Sequence, residues 1–362
     1  MTSTKLRAGV VGAGAISRHG HIPALLGAGV EIAGVCDPAP GRAAEVAAEF
    51  GIPHALETHE ELLGLPDLDL VVIGAPNVFH APIAIAALES GRHVLCEKPM
   101  AATSADGEKM IAAARKAGKL LSVNQHMRFH PTARAIREAV ATGQLGDVYF
   151  TDVRWMRSAG IPGYGSWFTR KELAGAGALF DIGVHMLDLG LWVLGFPRVE
   201  RITGRISGYL GEQRVGLGDW GTDRGAAGFD VEDTAVATLS LAGGGTLRLH
   251  VAWASFCGDD ERVTVLGTKG GADWSPTLYG DQQPLRFFAP EGPDRVVGTP
   301  YQFAGERDQW HEGVKGFVRA VRGEEELAVT PEEPLQVLRL LEHVVASSEQ
   351  NAELPVSTDP AG

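Results

Sequence analysis

Cysteine is nearly absent from this sequence: three in 362 residues, Cys36, Cys96 and Cys257, none of them in a C-x-x-C pair. An odd, scattered set offers neither a disulfide framework nor a zinc-ligand spacing, and it suits a reducing, cytoplasmic setting. Positive charge is in deficit as well, with 32 Lys and Arg against 45 Asp and Glu, a formal net charge of -13. No basic stretch is interleaved with aromatics, so neither nucleic acid nor a membrane surface is expected as a partner. Long apolar runs are missing too: residues 70–73 and 189–194 fall far short of the roughly 18 residues of a membrane span. The first residues enter a valine-rich strand with no charged leader or cleavage site, so no secretion signal is expected.

What is present belongs to a folded chain, with 44% hydrophobic and 21% charged residues, and its length favours two domains. From residue 6 to 124, short β-branched runs (8–11, 32–36, 70–73, 93–96, 120–123) alternate with Ala-rich helical stretches. That alternation predicts a parallel sheet with crossover helices. Thr58 and Glu61 form a capping-box pair ahead of one short helix. After residue 124 the pattern changes. A helix is expected over 131–141, a strand over 147–154, a Gly, Pro and aromatic-rich loop over 158–178, and a helix over 181–194. Residues 234–241 and 246–251 alternate around Gly243, Gly244 and Gly245 as an antiparallel hairpin. Residues 208–228 read as an exposed Gly-rich loop, and 335–347 as a final amphipathic helix. The expected domains are 1–124 and 125–362, α/β followed by α+β.

The first strand runs into Gly12-Ala13-Gly14-Ala15-Ile16-Ser17. Gly12 suits the tight turn, Gly14 lets a pyrophosphate approach backbone N–H groups at a helix N-terminus, and Ser17 stands at the small third position. The second strand ends at Asp37, an acidic residue placed for ribose hydroxyls, which favours NAD over NADP; Arg42 leaves dual use open. Ala75-Pro76-Asn77, with His80 one turn later, ends another parallel strand at the same edge and is expected to touch the cofactor.

Glu97-Lys98-Pro99 follows the strand 93–96 and sets a lysine at the carboxyl edge of the sheet, where it can stabilise oxyanion charge or relay a proton. Asp181 and His185, four residues apart, share one helix face; imidazole is suited to taking an alcohol proton near neutral pH. Helix capping and a satisfied core histidine are the structural alternatives for this pair. Asp188 extends the face, but no further His or Cys is in register and no metal is expected.

In this order, Gly12-Ala13-Gly14, Asp37, Pro76-Asn77 with His80, Glu97-Lys98-Pro99, Arg128-Phe129 and Asp181-x3-His185 resemble the glucose-fructose oxidoreductase, inositol dehydrogenase and rhizopine-catabolism family of NAD(P)-dependent dehydrogenases. The resemblance covers essentially the whole chain. It implies a Rossmann domain followed by an α+β domain with a large open, mainly antiparallel sheet that forms a homodimer or homotetramer interface. It implies Lys98, Asp181 and His185 as the catalytic group, with His185 the general base. Trp167-Phe168 resembles an aromatic pair lying over the cofactor, and Glu97 joins the cofactor residues. His126, Arg128, Arg154 and Tyr164, together with Lys98, Asp181 and His185, are expected to line the substrate. The implied activity is oxidation of a secondary hydroxyl of a sugar, glycoside or inositol-like cyclitol. An NAD-dependent glycosidase working by transient oxidation and elimination, and a non-catalytic NAD-binding regulator, are the alternatives.

Overall fold

The computed structural model describes residues 5–223, 225, 228–280, 283–302 and 309–356. The chain divides into two units, residues 1–129 with 308–338 and residues 130–307 with 339–362.

The first unit holds six parallel strands: β1 (Arg7–Val11), β2 (Glu31–Cys36), β3 (His54–Leu56), β4 (Leu70–Ile73), β5 (His93–Cys96) and β6 (Leu121–Val123). Their order is β3-β2-β1-β4-β5-β6. All four residues of β4 are fully buried, as expected of a strand covered on both faces, which reads as a continuous apolar run. The order reverses between β1 and β4, and in such sheets ligands sit outside the carboxyl ends of the strands at that reversal. The predicted capping box is present: Thr58 Oγ1 accepts from Glu61 N at 3.2 Å, and the Glu61 carboxylate accepts from Thr58 N at 3.1 Å.

Where the sequence predicts 1–124 and 125–362, the first unit also takes in residues 125–129 and a late segment. Helix Gln309–Val321 seats Val314, Phe317 and Val318 in the same core as Ala8, Val10, Ile22 and Leu25. Apolar residues at i, i+3 and i+4 make one face of a helix, and that face needs a core it meets only in space. The turn His126–Phe129 also belongs to the first unit.

The second unit is built on nine strands: β7 (Val148–Met156), β8 (Val199–Ser207), β9 (Thr234–Leu241), β10 (Thr246–Ala252), β11 (Asp260–Gly267), β12 (Gly271–Trp274), β13 (Leu285–Pro290), β14 (Val296–Pro300) and β15 (Leu354–Pro355). They lie in the order β14-β13-β12-β11-β7-β10-β9-β8-β15. Pairing is antiparallel except between β7 and β10. The predicted hairpin joins β9 to β10, with Gly243 and Gly244 at φ of 91° and 92°, a conformation that favours glycine. In β9, Ala235, Ala237, Leu239 and Leu241 are buried and the residues between them are not, the alternation of a sheet covered on one face only. Helix Val184–Val193 packs on the covered face, where a Cβ at Gly190 would come within 3.0 Å of Val153 and Leu247. The stretch Lys171–Val193 is long and apolar enough for a membrane span by composition, and it is largely buried inside the unit.

The Gly-rich stretch 208–228 is less open than expected. Gly160 N and Ile161 N donate to Gly216 O at 3.0 and 2.9 Å, and Gly218 N donates to Ile161 O at 3.0 Å, so it docks on the loop after β7. Residues 224, 226 and 227 of that stretch lie outside the described residues.

Candidate active site

In the first unit the predicted cofactor residues lie directly beyond strand ends. Gly12, after β1, has φ of 90°, and a Cβ there would be 2.4 Å from Gly74 O, so this turn admits only glycine. A Cβ at Gly14 would meet nothing within 4 Å, and Ala15 is exposed between the half-buried Gly14 and Ile16. An open rim at a helix N-terminus is the shape a pyrophosphate needs. Asp37, after β2, is buried; its Oδ2 accepts from Ala13 N at 2.9 Å and its Oδ1 from Ala39 N at 2.9 Å. Arg42 Nη1 stands 3.5 Å from Oδ1. Ala75 and Pro76 are half-buried and Asn77 buried after β4. These residues fit a dinucleotide: a side-chain-free turn, an open rim, and a carboxylate tied to the turn it faces.

Lys98 is half-buried after β5, and its backbone N donates to Glu97 Oε2 at 3.1 Å. Glu97 itself is turned inward. Its Oε1 accepts from Asn124 Nδ2 at 3.0 Å and lies 3.2 Å from His21 Nε2. Burial alone would raise the Glu97 pKa; the His21 contact, the Lys98 charge and the Asn124 donor outweigh it and hold the carboxyl down at about 2. His80 is also interior, with Nδ1 2.8 Å from Pro99 O and Nε2 2.8 Å from Ala75 O. Burial holds its imidazole below the usual range against the pull of those carbonyls. Glu97 and His80, expected as cofactor contacts, brace the segments that carry Lys98 and Ala75. His126 and Arg128, expected at the substrate, are each 2% exposed. The His126 ring stacks on Trp310 at 3.7 Å and burial pushes its pKa down to about 3; Arg128 is ion-paired with Glu333. The missing signal was again the returning segment, which supplies Trp310 and Glu333.

In the second unit Asp181 and His185 lie on one helical stretch, Leu179–Gly183 running into Val184–Val193. Asp181 is half-buried, and its Oδ2 accepts from Trp253 Nε1 at 2.8 Å. His185 is 3% exposed, with the Trp155 ring 6.2 Å from its own. Glu232 is buried at the start of this stretch, and its Oε1 accepts from Gly177 N and Leu179 N, both at 2.8 Å. Burial raises the Glu232 pKa while those two N–H groups pull it down. Trp155, Glu232 and Trp253 are neighbours that motif reading did not single out.

Arg154 is placed differently from expectation. Successive residues of a strand face opposite sides, and Trp155 takes the side of His185, so Arg154 points to the open face. There it bonds Asp152 and Asp260, in a ladder that Arg248 joins through Asp152. Burial raises the Asp152 pKa, and the Arg248 and Arg154 donors more than offset it, holding the carboxyl low. Tyr164, expected to line the substrate, is 1% exposed; its hydroxyl donates to Val215 O at 3.1 Å, with Arg214 over the ring, and it pins the docked loop. Trp167 and Phe168 are half-buried and stacked on each other at 3.7 Å. Among the described residues no group of three His, Cys, Asp or Glu could hold a metal ion, and all three cysteines are free.

Comparison with known proteins identifies the family. Residues 6–125 match the family model described as an oxidoreductase family with an NAD-binding Rossmann fold, and residues 133–273 match the GFO/IDH/MocA C-terminal domain. A D-glucoside 3-dehydrogenase of Escherichia coli (strain K12) is 36% identical over 279 residues, covering 73% of this chain and 78% of the relative. The crystal structure of an oxidoreductase domain protein from Kribbella flavida superposes with a TM-score of 0.86 at 26% identity, over 98% of this chain and 100% of that one. GenD2 from gentamicin A biosynthesis, solved in complex with NAD, gives a TM-score of 0.81 at 25% identity, over 99% and 98%.

Proposed function

The chain belongs to the GFO/IDH/MocA family of oxidoreductases, and on that premise we propose that it oxidises a secondary hydroxyl of a cyclic polyol to a ketone, with NAD as acceptor. Its first domain is an NAD-binding Rossmann domain. The substrate is a sugar, glycoside or inositol-like cyclitol, and the D-glucoside 3-dehydrogenase relative favours the glycosides. The observation that carries the reading is the Asp181–His185 pair, a half-buried carboxylate and an imidazole on one helical stretch fixed by Trp253 and Glu232.

When bound, NAD supplies a hydride acceptor at nicotinamide C4. The Gly12 to Ile16 turn holds the pyrophosphate, and Asp37 receives the ribose hydroxyls and opposes a 2′-phosphate, so NAD is preferred to NADP. Asp181 accepts a substrate hydroxyl and orients the carbinol carbon. His185 takes the proton of the hydroxyl being oxidised; the bound NAD would be the acceptor for the carbinol hydride, leaving a carbonyl. Lys98 stabilises the charge that develops on that oxygen. Each proton-transfer role contributes on the order of 10²–10⁴ in rate.

The test is incubation of the purified protein with NAD, and separately NADP, across inositols, monosaccharides and glycosides, following reduced nicotinamide and the products. Reduction with one substrate class and a keto product is expected. Glycoside cleavage without net reduction, or cofactor binding with no reaction, would overturn the reading in favour of a lyase-like hydrolase or a regulator.

A further inference from the structure

We propose that Trp253 is a positioning residue for Asp181, its indole N–H holding the carboxylate in one orientation and in its ionised form. The inference rests on the reading of Asp181 as the carboxylate that binds the substrate hydroxyl.

Trp253 is fully buried, directly after β10, and its backbone N donates to Asp233 O at 2.8 Å. The ring is therefore anchored by the sheet, and a Cβ at Gly160 would already crowd its carbonyl at 2.9 Å. An indole carries one polar atom, a donor only, which when buried requires an acceptor. It finds that acceptor in Asp181 Oδ2 at 2.8 Å. A donor to the charged form of a carboxylate favours that form, and a carboxylate fixed at one oxygen loses the rotation about its terminal bond that would blur its contact with a hydroxyl.

The backbone beneath Asp181 is fixed as well. Gly177 N and Leu179 N donate to the Glu232 carboxylate, and Ala178 N donates to Glu232 O at 3.1 Å, so three consecutive N–H groups are tied to one residue. Glu232 and Asp233 thus hold the start of the helical stretch on one side and the Trp253 backbone on the other. Among the titratable groups, His185 lies four residues on along the same stretch, Glu232 binds the backbone just before Asp181, and Asp233 O binds the Trp253 backbone. The Asp233 carboxylate is turned to Leu210 N, Gly211 N and Thr234 Oγ1.

The experiment combines indole ¹⁵N–¹H NMR with kinetics on methyl β-D-glucopyranoside and NAD. The Trp253 resonance is identified by its loss in Trp253→Phe, which keeps an apolar ring and removes the donor. It should move with pH as Asp181 titrates, and the movement should vanish in Asp181→Asn. Trp253→Phe should lower kcat/KM about 10-fold and move the acid limb of its pH profile upward, with no more than about a 2-fold effect in the Asp181→Asn background. A resonance indifferent to pH, or one still titrating in Asp181→Asn, would overturn the proposal whether or not the glucoside is turned over; if Trp253→Phe fails to fold, the resonance is assigned instead by its through-space contacts to the Asp181 side chain. Equal losses of kcat/KM in the two backgrounds would overturn it too, leaving Trp253 a packing residue. Full kcat/KM in Asp181→Asn with the titration intact would instead locate the failure in the reading of Asp181.

Discussion

In the first unit the candidate site residues 12–16, 37, 75–77 and 97–98 each follow closely on a parallel strand, so the sheet that orders the strands also gathers the residues. In the second unit Asp181 and His185 sit on a helical stretch whose fixing partners come from afar: Trp253, 72 residues on, and Glu232, 55 residues beyond Gly177. A doubly wound parallel sheet puts ligand-facing residues at fixed offsets from its strands. An open antiparallel sheet has no such rule, and the placement of Asp181 and His185 depends on long-range contacts and on strand parity. The candidate residues of the first unit should therefore tolerate change in their surroundings better than those of the second.

The largest effects probe the chemistry on each side of this comparison. Lys98→Ala and His185→Ala should each cut turnover at least about 10²-fold while NAD affinity, measured by calorimetry, stays nearly unchanged; retained turnover in both would remove the catalytic assignment. Glu232→Ala leaves two buried N–H groups without their acceptor, and urea unfolding should register a loss of about 1–3 kcal/mol. A loss near zero would mean the Asp181 stretch is as locally determined as the strand-end residues of the first unit.

Smaller effects sharpen the account. Asp37→Ala should weaken NAD and narrow the gap between NAD and NADP, read from the two dissociation constants; an unchanged preference would contradict the ribose assignment. Glu97 has a folded-state pKa of about 2 against an ordinary 4.5. Its contribution to stability is thus present above pH 4.5 and lost as pH falls toward 2. The stability gap between wild type and Glu97→Gln should close across that window, and a gap that widens there would reverse the sign. The smallest effect tests parity: Arg154→Ala on the open face should change kcat/KM by less than about 3-fold, whereas Trp155→Ala beside His185 should lower it about 10-fold.

Legibility in the sequence follows the same division. Strands β1, β2, β4, β5 and β6, the Gly12 turn, Asp37 and the β9–β10 hairpin were readable because each is set by a local pattern: a β-branched run, a glycine at positive φ, or alternation. Which face Arg154 takes was not readable, since a strand read as a stretch does not declare which face meets the helices; the fold pairs it with Asp152 and Asp260. His126, Arg128 and Tyr164 are polar residues near motifs, and only the contacts of the folded chain show the His126 ring stacked on Trp310, Arg128 ion-paired with Glu333 and the Tyr164 hydroxyl bonded to Val215 O. The return of residues 308–338 to the first unit was hidden for the same reason, because an amphipathic face shows that a core exists and not which core it joins.

The central claim is direct hydride transfer from a ring carbon of the polyol to NAD. A methyl D-glucoside deuterated at every ring carbon, incubated with the protein and NAD, tests it by mass spectrometry of the nucleotide. The account predicts one deuterium on the reduced nicotinamide and a keto glucoside of matching deuterium loss. Glucoside consumed with no deuterium in the nucleotide would contradict it.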